Sequence, residues 1–146
     1  MKHTFLSIKR IVFSLLLCLA TPLLAINKHE VRAVWLTTIG GLDWPHSYAQ
    51  TAHSIEKQKN ELRSILDRLQ SANINTILLQ TRVRATTIYP SDIEPWDGAM
   101  SGHPGQSPGY DPLAFAIDEC HRRGMELHAW IVCIPIGKWN GYGCRQ

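Results

Sequence analysis

The sequence predicts an α/β fold of parallel strands: the first three β-strands and two helices of a (β/α)8 TIM-type barrel, incomplete at three units. Three short apolar segments, Val31–Thr38, Thr76–Gln80 and Met125–Val132, recur about 45 to 50 residues apart. A helical pattern of apolar residues lies between each pair, as parallel strands require, because their connection must cross back over the sheet. The segments after the strands are long and polar, and in a barrel the functional groups gather on those loops.

The first 25 residues have the organisation of an export signal. Lys2, Lys9 and Arg10 precede an apolar run from Ile11 to Ala20, and Ala25 ends a small-residue stretch suited to cleavage. The run is shorter than the roughly 20 apolar residues that span a bilayer, so a stable membrane span is not expected once the signal is removed. The chain is expected to be exported, to a periplasmic, envelope-associated or extracellular place. Cleavage takes the 15 basic residues down to 12, equal to the 12 acidic ones. A neutral chain without a basic face excludes nucleic acid as the expected partner.

Val31–Thr38 is β-branched and almost continuously apolar, the pattern of a strand buried on both faces. Gly40, Gly41 and Pro45 then force a loop that carries Asp43 and Trp44. From Ser54 to Ala72, Leu62, Ile65, Leu66 and Leu69 recur at helical spacing among charged residues, predicting an amphipathic helix. Thr76–Gln80 is the second strand. The stretch from Thr81 to Tyr110 contains Pro90, Pro95, Pro104 and Pro108 and no apolar period. A connection of that length far exceeds the usual two to six residues, which favours a functional loop. Asp111-Pro112 predicts a helix start, with Asp as N-cap and Pro at the first helical position. Leu113, Ala116, Ile117 and Cys120 form that helix's apolar face, and Gly124 ends it.

Cys120, Cys133 and Cys144 remain after signal cleavage, an odd number that leaves at least one thiol unpaired. Cys120 and Cys133 are expected as small core residues. No CxxC pair or histidine cluster suggests a metal, and no cofactor is expected. A doubly wound nucleotide fold would place a glycine-rich phosphate turn after the first strand, and Ile39-Gly40-Gly41-Leu42-Asp43 is not one.

A barrel would bring Thr37, Thr38, Asp43, Trp44, Gln80, Arg82, His128, Trp130 and Lys138 to one rim. Together with Trp96 from the long loop, the candidate substrate-binding set is Asp43, Trp44, Gln80, Arg82, Trp96, His128 and Trp130. Indoles that stack on C–H faces, with planar polar groups for hydroxyls, are the chemistry of a glycan site. Each residue also has a plainer reading: Trp35 as core, His128 as a buried histidine, and Arg82 as partner of Asp43, Asp92 or Glu94. Asp43, Asp92, Glu94 and Asp97 are loop carboxylates, and no catalytic pair is assigned among them.

Successive segments carry a resemblance: Glu30–Thr38, Leu42–Pro45, Gln58–Leu62, Leu79–Arg82, Tyr89–Asp92, Glu94–Trp96, Pro108–Leu113 and Glu126–Trp130. In order and without large gaps, they are similar to the motifs of the glycosyl hydrolase-like 10 family. The resemblance implies a (β/α)8 barrel, bacterial export, and action on the O-glycosidic bonds of a polysaccharide or cell-wall glycan. It implies that Asp43, Gln80, Arg82, His128 and Trp130 are rim residues, and that the catalytic carboxylates come from later units. On that expectation residues 26–146 form the N-terminal portion of the barrel and hydrolyse nothing alone. The other expectation is a non-catalytic carbohydrate-binding envelope protein. After Trp130 the chain reads Ile131-Val-Cys-Ile-Pro-Ile136, where many members continue Asn-Pro-Tyr-Arg.

Overall fold

The computed structural model describes residues 30–136. The expected signal segment, Lys138 and Cys144 lie outside the described residues. Strand β1 (Ala33–Leu36) is followed by a 3-10 turn at Ile39–Gly41, helix α1 (Ala52–Ser71) and strand β2 (Thr76–Arg82). A short helix α2 (Gly98–Ser101), helix α3 (Pro112–Arg122) and strand β3 (Glu126–Ile131) complete the order.

The three strands form one parallel sheet in the order β1-β2-β3. Trp35 pairs with Leu78 and Leu78 with His128, so the three share one face. Val34, Ile77 and Leu127 share the other. Both long helices cover this second face: Leu62 and Leu66 of α1 and Ala116 and Cys120 of α3 join Leu36, Ile77 and Leu79 in a single core. The helices are also tied to each other, through Arg63 to Glu119 at 3.2 Å and Arg123 to Asp67 at 2.7 Å. This is a mixed α/β fold in which neighbouring strands are consecutive in sequence. The order excludes a 2-1-3 arrangement, whereas barrels and the first half of a dinucleotide fold share it.

Local chemistry sets the helix ends. Thr51 and Ser54 form a reciprocal capping box at the start of α1, two residues earlier than the apolar pattern suggests. Asp111 Oδ1 accepts from Ala114 N at 3.0 Å and Pro112 occupies the first turn of α3, as expected. Gly124, at φ +68°, provides the left-handed residue that lets the chain leave the helix and enter β3.

Three expectations change. The strands are not all buried on both faces, since Trp35 is 57% exposed and Ala33 and His128 on the same side are also open to solvent. Thr76 and Gln80 in the central strand are buried on that side, whereas the flanking strands are open there, so continuous apolarity did not translate into double burial. Cys133 is exposed beyond the end of β3, whereas Cys120 is buried as expected. The long connection after β2 is neither open nor irregular throughout. It folds back through bridges from Arg82 to Thr87 and from Thr87 to Trp96, and buries Val83, Thr86, Thr87, Ile88, Met100 and Ser101.

Candidate functional site

The carboxyl ends of β2 and β3 hold the most concentrated polar arrangement on the loop side of the sheet. Arg82 is the last residue of β2. Its Nε donates to both oxygens of Glu94, at 2.9 and 2.7 Å, and its Nη2 donates to Oε1 at 2.5 Å. Its Nη1 donates to the Val132 carbonyl and, at 3.3 Å, to that of Cys133. One guanidinium therefore ties the long loop to the segment leaving β3. The fork geometry of Arg matches a carboxylate in two places at once. Hydrogen bonding to Arg82 holds the Glu94 carboxyl below its usual range, so Glu94 stays ionised at neutral pH.

Two other rim candidates are structural clamps. Gln80 is only 3% exposed. Its Oε1 accepts from Thr38 N at 3.0 Å and Ile39 N at 2.9 Å, while Thr38 Oγ1 donates to the Gln80 carbonyl at 2.8 Å. This fastens the turn after β1 onto β2. Asp43 Oδ2 accepts from Thr37 N at 2.8 Å, closing the same loop on itself.

Trp44 is a core residue and presents no surface to a ligand. It is 0% exposed, and its Nε1 donates to the Gln58 carbonyl at 3.0 Å. A tryptophan in a Gly- and Pro-rich loop suggests an exposed indole, but here the loop turns inward onto α1. Trp96 is partly buried within the folded-back connection, where its carbonyl accepts from Gly105 N at 2.9 Å.

His128 and Trp130 stand on the uncovered face of β3. His128 Nε2 lies 3.2 Å from Glu126 Oε2 and its side chain is largely exposed, so it is not the buried histidine of the plainer reading. Trp130 meets Trp35 edge-to-face, with centroids 4.8 Å apart and planes at 84°. The structure thus brings Trp35 into contact with Trp130, a pairing the sequence reading missed. The signal was available, because both are odd-one-out indoles on the same face once the register is known. Among the described residues no group of three His, Cys, Asp or Glu side chains could hold a metal ion, and no helix is long and apolar enough to cross a membrane.

The glycosyl hydrolase-like 10 profile matches residues 30–138, most of the chain. The chain belongs to the glycosyl hydrolase-like 10 family. Among similar curated proteins, the glycosyl hydrolase YngK of Bacillus subtilis (strain 168) is 39% identical over 104 residues, covering 71% of this chain and 20% of YngK. The glycosyl hydrolase DigH of Escherichia coli (strain K12) is 40% identical over 108 residues, covering 71% of this chain and 25% of DigH. The chain therefore spans a fifth to a quarter of the length of these relatives.

Proposed function

We propose that this chain contributes the first three units of an exported (β/α)8 barrel that binds a glycan and takes part in hydrolysing its O-glycosidic bonds. One observation supports this most directly. In a family member with consecutive parallel strands and both long helices on one face, the opposite face carries Trp35, His128 and Trp130, and Arg82 and Glu94 meet at its carboxyl-terminal edge. In a barrel the inward face of the sheet is filled by side chains and the groups at the carboxyl ends of its strands form the site, which suits Leu78 between Trp35 and His128 with Trp130, Arg82 and Glu94 towards the strand ends.

In this reading Trp130, braced by Trp35, stacks on a sugar face and His128 holds a hydroxyl. The Arg82–Glu94 pair fixes the rim that the glycan meets. Glu94 and Asp43 are both already engaged, by Arg82 and by Thr37 N, so the acid and base of hydrolysis are assigned to residues other than these. Peptidoglycan and other polysaccharides both suit this chemistry.

The test is co-sedimentation of the full chain with purified peptidoglycan sacculi and with chitin, paired with a reducing-end assay. Retention that is lost in Trp130→Ala is expected. Absence of retention on every glycan overturns the reading, and release of reducing ends by the chain alone overturns the assignment of catalysis elsewhere. Export is tested by sequencing the amino terminus of the mature protein, which should begin at Ile26.

A further inference from the structure

We propose a second sugar subsite, in the cleft between the loop after β1 and the folded-back connection after β2, with Tyr48 as its stacking platform and Arg84 and Asp97 as its polar walls. The proposal rests on the glycan-binding reading and names a place and residues outside those that reading uses.

The cleft has a volume of about 680 Å³. That falls within the roughly 300–1,000 Å³ of small-molecule sites. It lies on the loop side of the sheet, next to the strand end that carries Arg82. Gly40 and Gly41 line one part of it, and a Cβ at either would meet nothing within 4 Å, so that part of the wall is backbone that a ring can approach closely.

Tyr48 is the aromatic residue of the cleft, and it is 57% exposed. It is nevertheless held in place. A Cβ at Gly102 would come within 3.0 Å of the Tyr48 Cγ and Cδ2 atoms, so the ring lies against the bare Gly102 backbone. Gln50 fastens the same corner, with its Nε2 donating to the Ser101 carbonyl at 3.1 Å. A large exposed ring braced from behind is poor at stabilising a core and well suited to receiving a flat apolar surface.

The polar walls are equally prepared. Asp97 Oδ1 accepts from Ala99 N at 2.8 Å and Oδ2 from Thr86 Oγ1 at 2.6 Å. The carboxylate is thereby fixed, and each oxygen keeps capacity for a further donor. Arg84 adds a planar guanidinium to the lining, and His46, held by its hydrogen bond to Glu61, adds an imidazole edge. One aromatic face between fixed donors and acceptors fits a pyranose ring, which is apolar on its C–H face and hydroxylated around its rim. A glycan running over Trp130 and into this cleft would be held at two points.

The experiment measures binding of chitotetraose, cellotetraose and solubilised peptidoglycan fragments to the full chain by calorimetry. Tyr48→Ala should weaken the best ligand about tenfold, the scale of one lost stacking contact. Tyr48→Phe, which keeps the ring, should bind within about twofold of the parent. Ala99→Phe, which narrows the cleft while leaving the Tyr48 side chain in the sequence, should weaken binding, and it decides the matter if Tyr48→Ala fails to fold. If the parent binds, Trp130→Ala abolishes binding, and both cleft variants bind as the parent does, the subsite is overturned and the glycan reading stands. If the parent binds none of the three ligands, the glycan reading falls and the subsite with it.

Discussion

Trp44 and Trp35 show how an indole's environment, and not its identity, decides its work. Trp44 is sealed in the core with its N–H paired to Gln58, while Trp35 stands on an open sheet face against Trp130. Trp44→Ala should therefore cost about 3–5 kcal/mol of unfolding free energy. Trp35→Ala should cost only about 0.5–1.5 kcal/mol, the scale of its edge-to-face contact with Trp130. Urea denaturation of both variants checks the contrast, and equal losses would contradict it. Arg82 and Glu94 permit a second test. A carboxyl whose folded pKa lies below its unfolded value contributes stability that is present above the unfolded value and disappears as pH falls through the folded one. The rim tie should hold through the mildly acidic range and release only below the ordinary carboxylate value of 4.5. In an NMR titration Arg82→Ala should bring the Glu94 midpoint back up towards that value, and an unmoved midpoint would show that Arg82 does not set it. Arg82 was legible in the sequence as a strand-end cation in need of a carboxylate, but the choice among Asp43, Asp92 and Glu94 was not. That choice depends on how the connection after β2 folds back, which no local pattern encodes.

At the scale of elements, the helix ends were readable where the signal is local. Asp111-Pro112 states its own role, whereas Thr51 caps α1 before any apolar repeat begins and so escaped notice. Thr51→Ala should cost about 1 kcal/mol, measured by thermal unfolding. Glu119 was invisible for a different reason. It reads as a solvent-facing charge on α3, yet it is only 3% exposed, because arginines from two helices converge on it. Its Oε2 accepts from Arg123 at 2.6 Å, and its Oε1 accepts from Arg122 at 3.0 Å and Arg63 at 3.2 Å. Burial alone would push its carboxyl up, but hydrogen bonds from Arg123 and Arg63 overcome that and hold it down. Arg123 is the most buried arginine of the cluster and keeps Asp67 when Glu119 is neutralised, so Glu119→Gln should cost about 2 kcal/mol, the scale of lost charge-assisted hydrogen bonds, and lower the midpoint of urea unfolding. A loss below about 0.5 kcal/mol would mean that the cluster is a surface network despite its burial.

For the molecule as a whole, the order of strands and helices follows from spacing, because parallel strands oblige the chain to return across one face. Which faces are buried does not follow, because burial depends on what is placed opposite. Trp35, Ile131 and, beyond the last strand, Ile134 are all more than half exposed, and a groove lined by Val34, Leu42, Ile65 and Leu69 runs along the outer flank of β1. In a closed barrel each of these surfaces has an assigned neighbour: further interior side chains for the open face, and the last βα unit for the flank of β1. Residues 30–136 expressed alone should therefore bind a hydrophobic dye and self-associate as concentration rises, since unpaired edges and apolar faces invite contact. Joined to the remaining three quarters of DigH, which is 40% identical over the matched region, the same residues should form a monomer that excludes the dye. Iodide quenching of Trp35 fluorescence, measured with Trp130 and the other indoles replaced by Phe, should fall sharply in the chimera. If Trp35 stays as accessible there as in the isolated segment, the open face is not the interior of a barrel, and the sheet must meet its neighbours in another architecture.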